Sequence, residues 1–354
     1  MRAAILRKGR MVVDDIADLR PAVGQVLVET IACGICGSDL HTVDHAHQLS
    51  STSREIGLAT FDFDPDQDMV MGHEMSVRVL ETGPDVTGIK PDMVMVAKSV
   101  LTLPDGTVAT PGFDNTYPGG YSQQMLLDPA GMVPVPNGLD PAMAALTEPM
   151  AVGLHAVNES QAAPGRIAIV IGAGPVGLAV IAALRIKGIE VIVASDFSAT
   201  RRSMATAMGA HVVLDPGQAD GRQAGFDQAV AVWAQHGTEE NPPVIFDAVG
   251  IPGLIETVMT GAPSRSEIIV VGLCMDDDTF RPIMGTFKRL TLKFVLGWSP
   301  EDFTESLHNL AEGRISGETL VTGQVDIEGV PDAFKALADP EQHVKVLVRP
   351  NGLG

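Results

Sequence analysis

Apolar residues in the middle of the chain form short runs that alternate with longer segments of helical spacing. From residue 166 onward the runs have the length of buried strands, and they lie at 167–171, 190–194, 212–214, 244–248 and 268–271. Helical spacing is clearest over 176–187 and 200–208. This alternation predicts an α/β unit with a doubly wound parallel sheet over residues 151–296.

The first part of the chain has a different pattern. Short apolar stretches such as 26–31 and 93–96 are broken by Gly, Pro and Asp, which predicts a β-rich domain over residues 1–150. The polar segment 46–68 has little periodicity and is expected to be a long loop. A helix over 300–312 and a strand over 343–348 follow the middle unit, and we expect 297–354 to rejoin the first domain.

Composition narrows the possible partners. Acidic residues outnumber basic ones 44 to 24, for a net charge of −20, and this excludes a basic nucleic-acid-binding surface and disfavours anionic membranes. The 18 charge-free residues 167–184 have the length of a membrane span, but their clustered glycines favour a buried strand, turn and helix.

Three cysteines exclude a disulfide scaffold. With no apolar leader at the N-terminus, a cytoplasmic location is expected.

A glycine-rich turn between the first predicted strand and helix of the middle unit indicates dinucleotide binding. Residues 172–177 fit G-x-G-x-x-G, and the residues expected to approach a pyrophosphate are Gly172, Gly174, Pro175, Val176 and Gly177. Asp196 ends the next strand, where a carboxylate accepts hydrogen bonds from the adenosine ribose and repels a 2′-phosphate. NAD is therefore expected rather than NADP, although Arg201 and Arg202 would suit a 2′-phosphate.

Thiol, imidazole and carboxylate side chains are concentrated in the first domain. Cys33 and Cys36 have the C-x-x-C spacing, which alone suggests half of a structural zinc site or a redox pair, and His73-Glu74 and Glu148 follow. No second cysteine pair exists to complete four thiolates.

Together these motifs resemble the zinc-dependent medium-chain dehydrogenase/reductase family, nearest its sorbitol, butanediol and secondary-alcohol branch, because Glu148-Pro149 stands where other members place a ligand cysteine. The resemblance implies a GroES-like β-rich catalytic domain plus a Rossmann domain. It also implies that Cys36 and His73 bind a catalytic zinc, with Glu74 and Glu148 sharing the remaining protein role and Asp39 orienting His73.

Further residues acquire roles by the same resemblance. Ser38 and His41 match a relay that carries the substrate proton to solvent. Val249 lies in a sequence motif of the cofactor domain and is expected to contact the cofactor. Lys345 matches a basic position that reaches cofactor phosphates. Cys33 is expected to be a small buried residue. Segment 97–112 lacks the cysteines of the structural-zinc lobe, so one zinc per chain is expected. Pocket-lining positions are expected at Phe113, Tyr117, Leu296 and Trp298.

The implied activity is hydride transfer between NAD(H) and a secondary alcohol, diol or polyol and its ketone. Relatives associate through the edge of the Rossmann sheet, so a homodimer or homotetramer is expected. Two alternatives stay open: a zinc-free NAD(P)H quinone or enoyl reductase, which would lack the Cys36 and His73 ligand set, and a non-catalytic dinucleotide-binding protein.

Overall fold

A computed structural model describes residues 1–353, apart from the side chain of residue 59. In chain order its strands are β1 (Arg2–Arg7), β2 (Arg10–Asp15), β3 (Val26–Gly34), β4 (Glu74–Thr82), β5 (Val94–Ala97), β6 (Leu101–Thr102), β7 (Val108–Ala109), β8 (Gln124–Leu127), β9 (Met132–Pro134), β10 (Ala168–Ile171), β11 (Ile192–Ser195), β12 (Val212–Leu214), β13 (Val244–Asp247), β14 (Glu267–Val270), β15 (Thr291–Phe294), β16 (Val321–Val325) and β17 (Lys345–Val348).

The α-helices of the described residues are α1 (Gly37–Ile56), α2 (Thr147–Asn158), α3 (Pro175–Ile186), α4 (Ala199–Met208), α5 (Gly221–His236), α6 (Leu254–Gly261), α7 (Pro282–Lys288), α8 (Pro300–Ala311), α9 (Gly317–Leu320) and α10 (Val330–Leu337). Single 3₁₀ turns occur at Ala59–Phe61, Pro129–Gly131, Met143–Leu146 and Pro216–Gln218.

The chain divides into two compact units. The first contains Met1–Glu148, Leu307–Asp339 and the chain from Lys345 onward, and the second contains Pro149–Ser306 and Pro340–Val344. The first division lies two residues before the boundary expected from the sequence. The return to the first unit comes at Leu307 rather than 297, because most of α8 packs with the second unit.

A seven-stranded sheet organises the first unit. Its order is β16-β17-β3-β4-β5-β9, with β8 also pairing with β3. The long strands β3 and β4 pair antiparallel from Val26 opposite Thr82 to Gly34 opposite Glu74. Alternate residues of these strands, including Val26, Val28, Val77 and Val79, are fully buried in the core. The register therefore brings the end of β3 and the start of β4 to the same place.

Segment 46–68, predicted as a loop, is largely helical, and that prediction was wrong. Helix α1 continues to Ile56, with non-helical dihedrals at His45, and ends where Gly57 adopts the left-handed conformation (φ +73°). Polar side chains hold this extension, since the Ser50 hydroxyl and the Arg54 guanidinium both donate to the carbonyl of Phe63. These tertiary hydrogen bonds replace the apolar stripe that would have shown a helix in the sequence.

The second unit is the predicted doubly wound α/β unit. Its six-stranded sheet has the order β12-β11-β10-β13-β14-β15, and every neighbouring pair is parallel. Inward-facing residues such as Ile169, Val193, Ile245 and Ile268 are fully buried. The charge-free stretch 167–184 forms β10, a turn and most of α3. In the described part of the chain, every helix is too short or too polar to cross a bilayer.

Candidate active site

Cys36 lies at the junction between β3 and α1, where it is the N-cap of the helix. Its backbone N–H donates to Oδ2 of Asp39 at 2.9 Å, three residues into the helix. This reciprocal capping arrangement fixes the first turn of α1. The Cys-x-x-Asp spacing therefore locks the backbone that carries the thiol.

Glu74 starts β4, and His73 lies between it and Gly72. Gly72 has φ +102°, and a Cβ atom there would lie 2.8 Å from Cδ1 of Tyr121 and 2.9 Å from Sγ of Cys33. Only glycine fits such a position without strain. Because Gly34 pairs with Glu74, this tight turn places His73 beside Cys36. Cys33 itself is fully buried, which confirms the expectation for it.

Cys36, His73 and Glu74 form a group that fits a metal ion. One ligand atom from each of the three lies within 4.8 Å of the other two. Thiolate, imidazole and carboxylate are the ordinary protein ligands of zinc, and three protein ligands leave a fourth position open. The donor set and its spacing thus fit the zinc that the sequence implies.

Asp39 lies behind this group. Its fully buried carboxylate has Oδ1 3.5 Å from Nδ1 of His73, as expected from the sequence. Burial favours the neutral imidazole of His73, but the Asp39 charge outweighs this and raises the pKa of His73 well above its ordinary value. Burial also acts against ionised Asp39, yet His73 and the hydrogen bonds to the carboxylate keep its pKa below the usual range. With Nδ1 facing Asp39, Nε2 is the ring nitrogen available for a metal.

Glu74 is paired with Lys345, which corrects the expectation for that lysine. The Lys345 ammonium lies 2.7 Å from Oε1 and 2.5 Å from Oε2 of Glu74, and it also donates to the carbonyl of Ile35. Strand β17 lies inside the sheet, and Lys345 is 2% exposed, so its charge serves the carboxylate rather than a cofactor phosphate. Burial would lower the pKa of Lys345, but Glu74 raises it above the ordinary value.

Glu148 lies at the start of α2 and is half-buried. Its carboxylate is outside the three-ligand group, although its charge acts on the Lys345 ammonium. It lies close enough to influence Lys345, and its part in metal binding stays a prediction.

Ser38 and His41 are both in the first turns of α1, three residues apart, and both are half-buried. Residues at this spacing share one helix face. Burial and the neighbouring His45 ring, 6.4 Å away between centroids, lower the pKa of His41. The His41 ring is therefore neutral at neutral pH.

In the second unit, the glycine-rich turn joins β10 to α3. Gly172 has φ +89°, and a Cβ atom there would lie 2.7 Å from Cγ2 of Val249. At Gly177 a Cβ would lie 1.9 Å from the carbonyl oxygen of Gly172, so close packing of helix and strand requires glycine. At Gly174, the N-cap of α3, it would meet nothing nearer than Arg201 at 3.9 Å. Pro175 and Val176 then open the helix, and its N–H groups are available to an anion.

A cavity of about 330 Å³ opens beside this turn. Among the residues that line it are Gly174, Asp196, Phe197, Arg201, Val249 and Ile251. The Asp196 carboxylate accepts hydrogen bonds from the backbone N–H groups of Ala173 (2.7 Å) and Ser198 (2.8 Å), which fixes it at the end of β11. The Nε atom of Arg201 is buried and has no hydrogen-bond partner within residues 1–353. Arg202 is instead paired with Asp215 at 3.1 Å.

Four residues were expected to line the substrate pocket, and one of them contacts the metal-ligand group. The Phe113 ring lies 5.1 Å from the His73 ring, and Phe61 packs edge-on against Phe113 at 4.7 Å. Tyr117 packs in a separate cluster with Leu27 and Leu101. In the second unit, Trp298 stacks on Phe303 at 4.3 Å, and Leu296 is exposed.

Three contributors to these sites had no signal in the sequence: Phe61, Tyr121 and the role of Lys345. Phe61 was placed within the expected loop, and Lys345 lies 271 residues from its partner Glu74. Tyr121 donates a hydrogen bond to Asp39 across 82 residues. Contacts between residues so far apart in the sequence form only when the sheet is assembled, so no local sequence pattern indicates them.

Comparisons with known proteins agree with this geometry. Residues 22–137 match the model of the alcohol dehydrogenase GroES-like domain, and residues 175–312 match the model of the zinc-binding dehydrogenase domain. The chain is 28% identical over 363 residues to (R,R)-butanediol dehydrogenase of Bacillus subtilis, covering 96% of each protein. It is 29% identical over 325 residues to a probable D-xylulose reductase A of Arthroderma otae, covering 88% of this chain and 86% of that protein.

Solved structures show the same fold over the whole chain. The crystal structure of 2R,3R-butanediol dehydrogenase from Bacillus subtilis superposes with a TM-score of 0.81 at 26% identity, covering 99% of both chains. The chain belongs to the zinc-dependent medium-chain dehydrogenase/reductase family.

Proposed function

We propose that this dehydrogenase oxidises a secondary alcohol, diol or polyol to the ketone, with NAD⁺ as hydride acceptor, and catalyses the reverse reduction. The observation that carries the proposal is the group of Cys36, His73 and Glu74, whose ligand atoms lie within 4.8 Å of one another and are backed by buried Asp39. A zinc-free reductase or a passive dinucleotide binder has no use for this arrangement.

Cys36, His73 and Glu74 would hold the zinc. When bound, the ion supplies a Lewis acid that lowers the pKa of a hydroxyl group. The protein's own residues orient the ligands: Asp39 fixes the His73 ring, and Lys345 fixes the Glu74 carboxylate. The family resemblance implies that Glu74 and Glu148 can exchange as zinc ligand. When Glu148 takes the ligand role, the Lys345 ammonium would hold the Glu74 carboxylate in place. We retain one zinc per chain as part of the proposal.

Two carboxylates support NAD over NADP. Asp196 lines the cavity at the end of β11, where the adenosine ribose would lie. Glu341 accepts hydrogen bonds from the backbone N–H groups of Ala199 (2.9 Å) and Thr200 (3.2 Å), so a negative charge already covers the start of α4. A 2′-phosphate would meet repulsion from both. We assign Arg201, whose guanidinium lies over Gly174, to the cofactor's pyrophosphate or ribose.

The aromatic side chains next to His73 support a substrate with alkyl carbon beside its hydroxyl. Phe113 is buried with its ring 5.1 Å from the His73 ring, and Phe61 packs edge-on against Phe113. Such a wall favours a methyl or ethyl substituent over the hydroxyl-rich chain of a long polyol. Among the similar proteins, the butanediol dehydrogenases act on a substrate of this kind. We therefore place a short vicinal diol first within the proposed range.

Ser38 and His41 are proposed to remove the hydroxyl proton. Both side chains lie on one face of α1, and His41 suits the exit position because its ring is neutral at neutral pH and can accept a proton.

We also propose a homodimer formed through strand β15. This strand ends the six-stranded sheet and pairs only with β14 among the described residues. Phe287, Phe294 and Leu296 near this edge are 77%, 66% and 62% exposed. A second copy that presents the same edge across a twofold axis would pair the free backbone groups and cover these side chains.

The proposed function is tested with zinc-loaded protein and a panel of alcohols, by following NADH absorbance. The panel contains (2R,3R)-2,3-butanediol, xylitol, sorbitol, 2-butanol and cyclohexanol, each with NAD⁺ and with NADP⁺. We expect the highest kcat/KM for the diol with NAD⁺. The same protein stripped by a chelator should be inactive and recover when zinc is restored.

The outcomes separate the alternatives. Silence on every alcohol and on the corresponding ketones would overturn the proposed function. Activity that persists after complete metal removal would support the zinc-free reductase. A higher rate with xylitol or sorbitol would keep the reaction type and move the substrate to polyols.

A further inference from the structure

Tyr121 lies at the centre of the metal-binding side of the first unit. It lies between β7 and β8 and is fully buried. Its backbone N–H donates to the carbonyl of Met71 at 3.0 Å, and its carbonyl accepts from the N–H of Ala4 at 2.9 Å. Its ring fills the space that a side chain at Gly72 would occupy, next to His73. The backbone and the ring are therefore both fixed relative to the metal ligands.

The Tyr121 hydroxyl reaches the carboxylate behind those ligands. It donates to Oδ2 of Asp39 at 2.6 Å and lies 3.2 Å from the carbonyl oxygen of Gly34. The same Oδ2 accepts from the N–H of Cys36, while Oδ1 faces Nδ1 of His73. One carboxylate thus connects the backbone of one metal ligand to the ring of another, and Tyr121 donates to its Oδ2 atom.

The orientation of Asp39 needs such a contact. The last torsion of an aspartate side chain has a broad, shallow preference, so hydrogen bonds determine where its two oxygens point. A rotated carboxylate would turn Oδ1 away from His73 and leave the imidazole ring free to tilt. The 2.6 Å bond from a buried hydroxyl to a charged acceptor is of the short, strong kind.

We propose that Tyr121 is a positioning residue of the metal centre, whose hydroxyl orients Asp39 toward His73 and Cys36 and so determines metal affinity and ligand geometry. The inference rests on the metal site of the proposed function. It goes beyond that site, because Tyr121 would act only through Asp39 and without contact to the metal.

The test compares Tyr121→Phe with Tyr117→Phe in the metal-free protein. The two are the chain's only tyrosines, and Tyr117 packs in the apolar cluster with Leu27 and Leu101, away from Asp39. Each variant is titrated with Co²⁺ while the cobalt–thiolate and d–d absorption bands are recorded. Zinc affinity is measured by competition with a chromophoric chelator, and folding by the thermal midpoint of the metal-free protein.

We expect Tyr121→Phe to bind Zn²⁺ about tenfold more weakly, at the lower end of what loss of an outer hydrogen-bond partner costs, and to shift the cobalt bands. Tyr117→Phe should match the wild type in both. In the Asp39→Asn background, Tyr121→Phe should change zinc affinity by less than about twofold, because the hydroxyl acts through that carboxylate.

Cobalt bands and zinc affinity equal to wild type in Tyr121→Phe would overturn the inference, whatever happens to the thermal midpoint. An equal loss in the Asp39→Asn background would overturn it as well, since the hydroxyl would then act by another route. If wild-type protein binds neither Co²⁺ nor Zn²⁺, the proposed metal site itself fails. That result differs from equal metal binding by the wild type, Tyr121→Phe and Tyr117→Phe, which would overturn only the role of Tyr121.

Discussion

Lys345 and Glu74 form an ion pair inside the first unit, with Nζ 2.5 Å from Oε2 and both side chains at most 2% exposed. Two opposite charges without water depend on each other, because each carries a large desolvation cost that only its partner offsets. The pair also joins the start of β17 to the start of β4, directly after His73. Its integrity should therefore affect both stability and the metal site.

Lys345→Met should destabilise the protein by about 3–5 kcal/mol, the cost of leaving one buried charge without its partner. The matched control is Lys335→Met. The side chains of Lys335 and its partner Asp332 are 77% and 86% exposed, so this variant should unfold at nearly the wild-type urea concentration. Urea unfolding of the metal-free proteins measures both. Equal, small shifts for the two variants would show that Glu74 is neutral or solvated.

Cys36→Ser and His73→Ala should each lose bound zinc, and turnover should fall to background, because each removes one of three ligands. Cys274→Ser replaces an exposed cysteine in the second unit and should keep both. Metal content by atomic absorption and NADH production measure the outcome. A Cys36→Ser protein that keeps zinc and full activity would place the metal elsewhere.

Local sequence signals predicted the parts of the structure that depend on local geometry. Gly172 has a left-handed backbone and Gly177 lies against the carbonyl of Gly172, as the glycine-rich turn predicted, whereas a Cβ atom at Gly174 would have room. The helical part of segment 46–68 was missed because side-chain hydrogen bonds to the carbonyl of Phe63, rather than an apolar stripe, stabilise it. The Lys345 pairing was missed because it depends on the position of β17 inside the sheet.

Phe294→Glu should turn the proposed dimer into a monomer, because a charge on the exposed edge of β15 opposes strand pairing between copies. The control Val23→Glu alters a residue of the first unit that is 63% exposed and should leave assembly unchanged. Sedimentation velocity distinguishes the chain mass of 37.2 kDa from twice that value. A wild-type protein that sediments as a monomer would contradict the proposed interface.

Asp196→Asn should weaken NAD⁺ binding about tenfold, since a charge-assisted hydrogen bond to the ribose contributes about 1.5 kcal/mol, and should raise the relative affinity for NADP⁺. Adding Glu341→Gln should raise it further by removing the charge at the start of α4. Calorimetry with 5′-AMP and 2′,5′-ADP isolates this effect from catalysis. Asp220→Asn, at an exposed residue before α5, is the control. An unchanged ratio of the two affinities in both variants would mean that neither carboxylate faces the ribose.

The rate of alcohol oxidation should fall in acid because of His41. Burial and His45 lower its pKa below 6.5, so the ring is neutral at pH 7 and accepts a proton. Acid protonates it and closes the relay, so kcat should decline as the pH falls through a value below 6.5. His41→Asn should reduce kcat about 100-fold, the lower range for a general base, and abolish this acidic limb. His47→Asn, at an exposed residue of the same helix, should keep the wild-type profile. An acidic limb that survives in His41→Asn would assign the proton acceptor to another group.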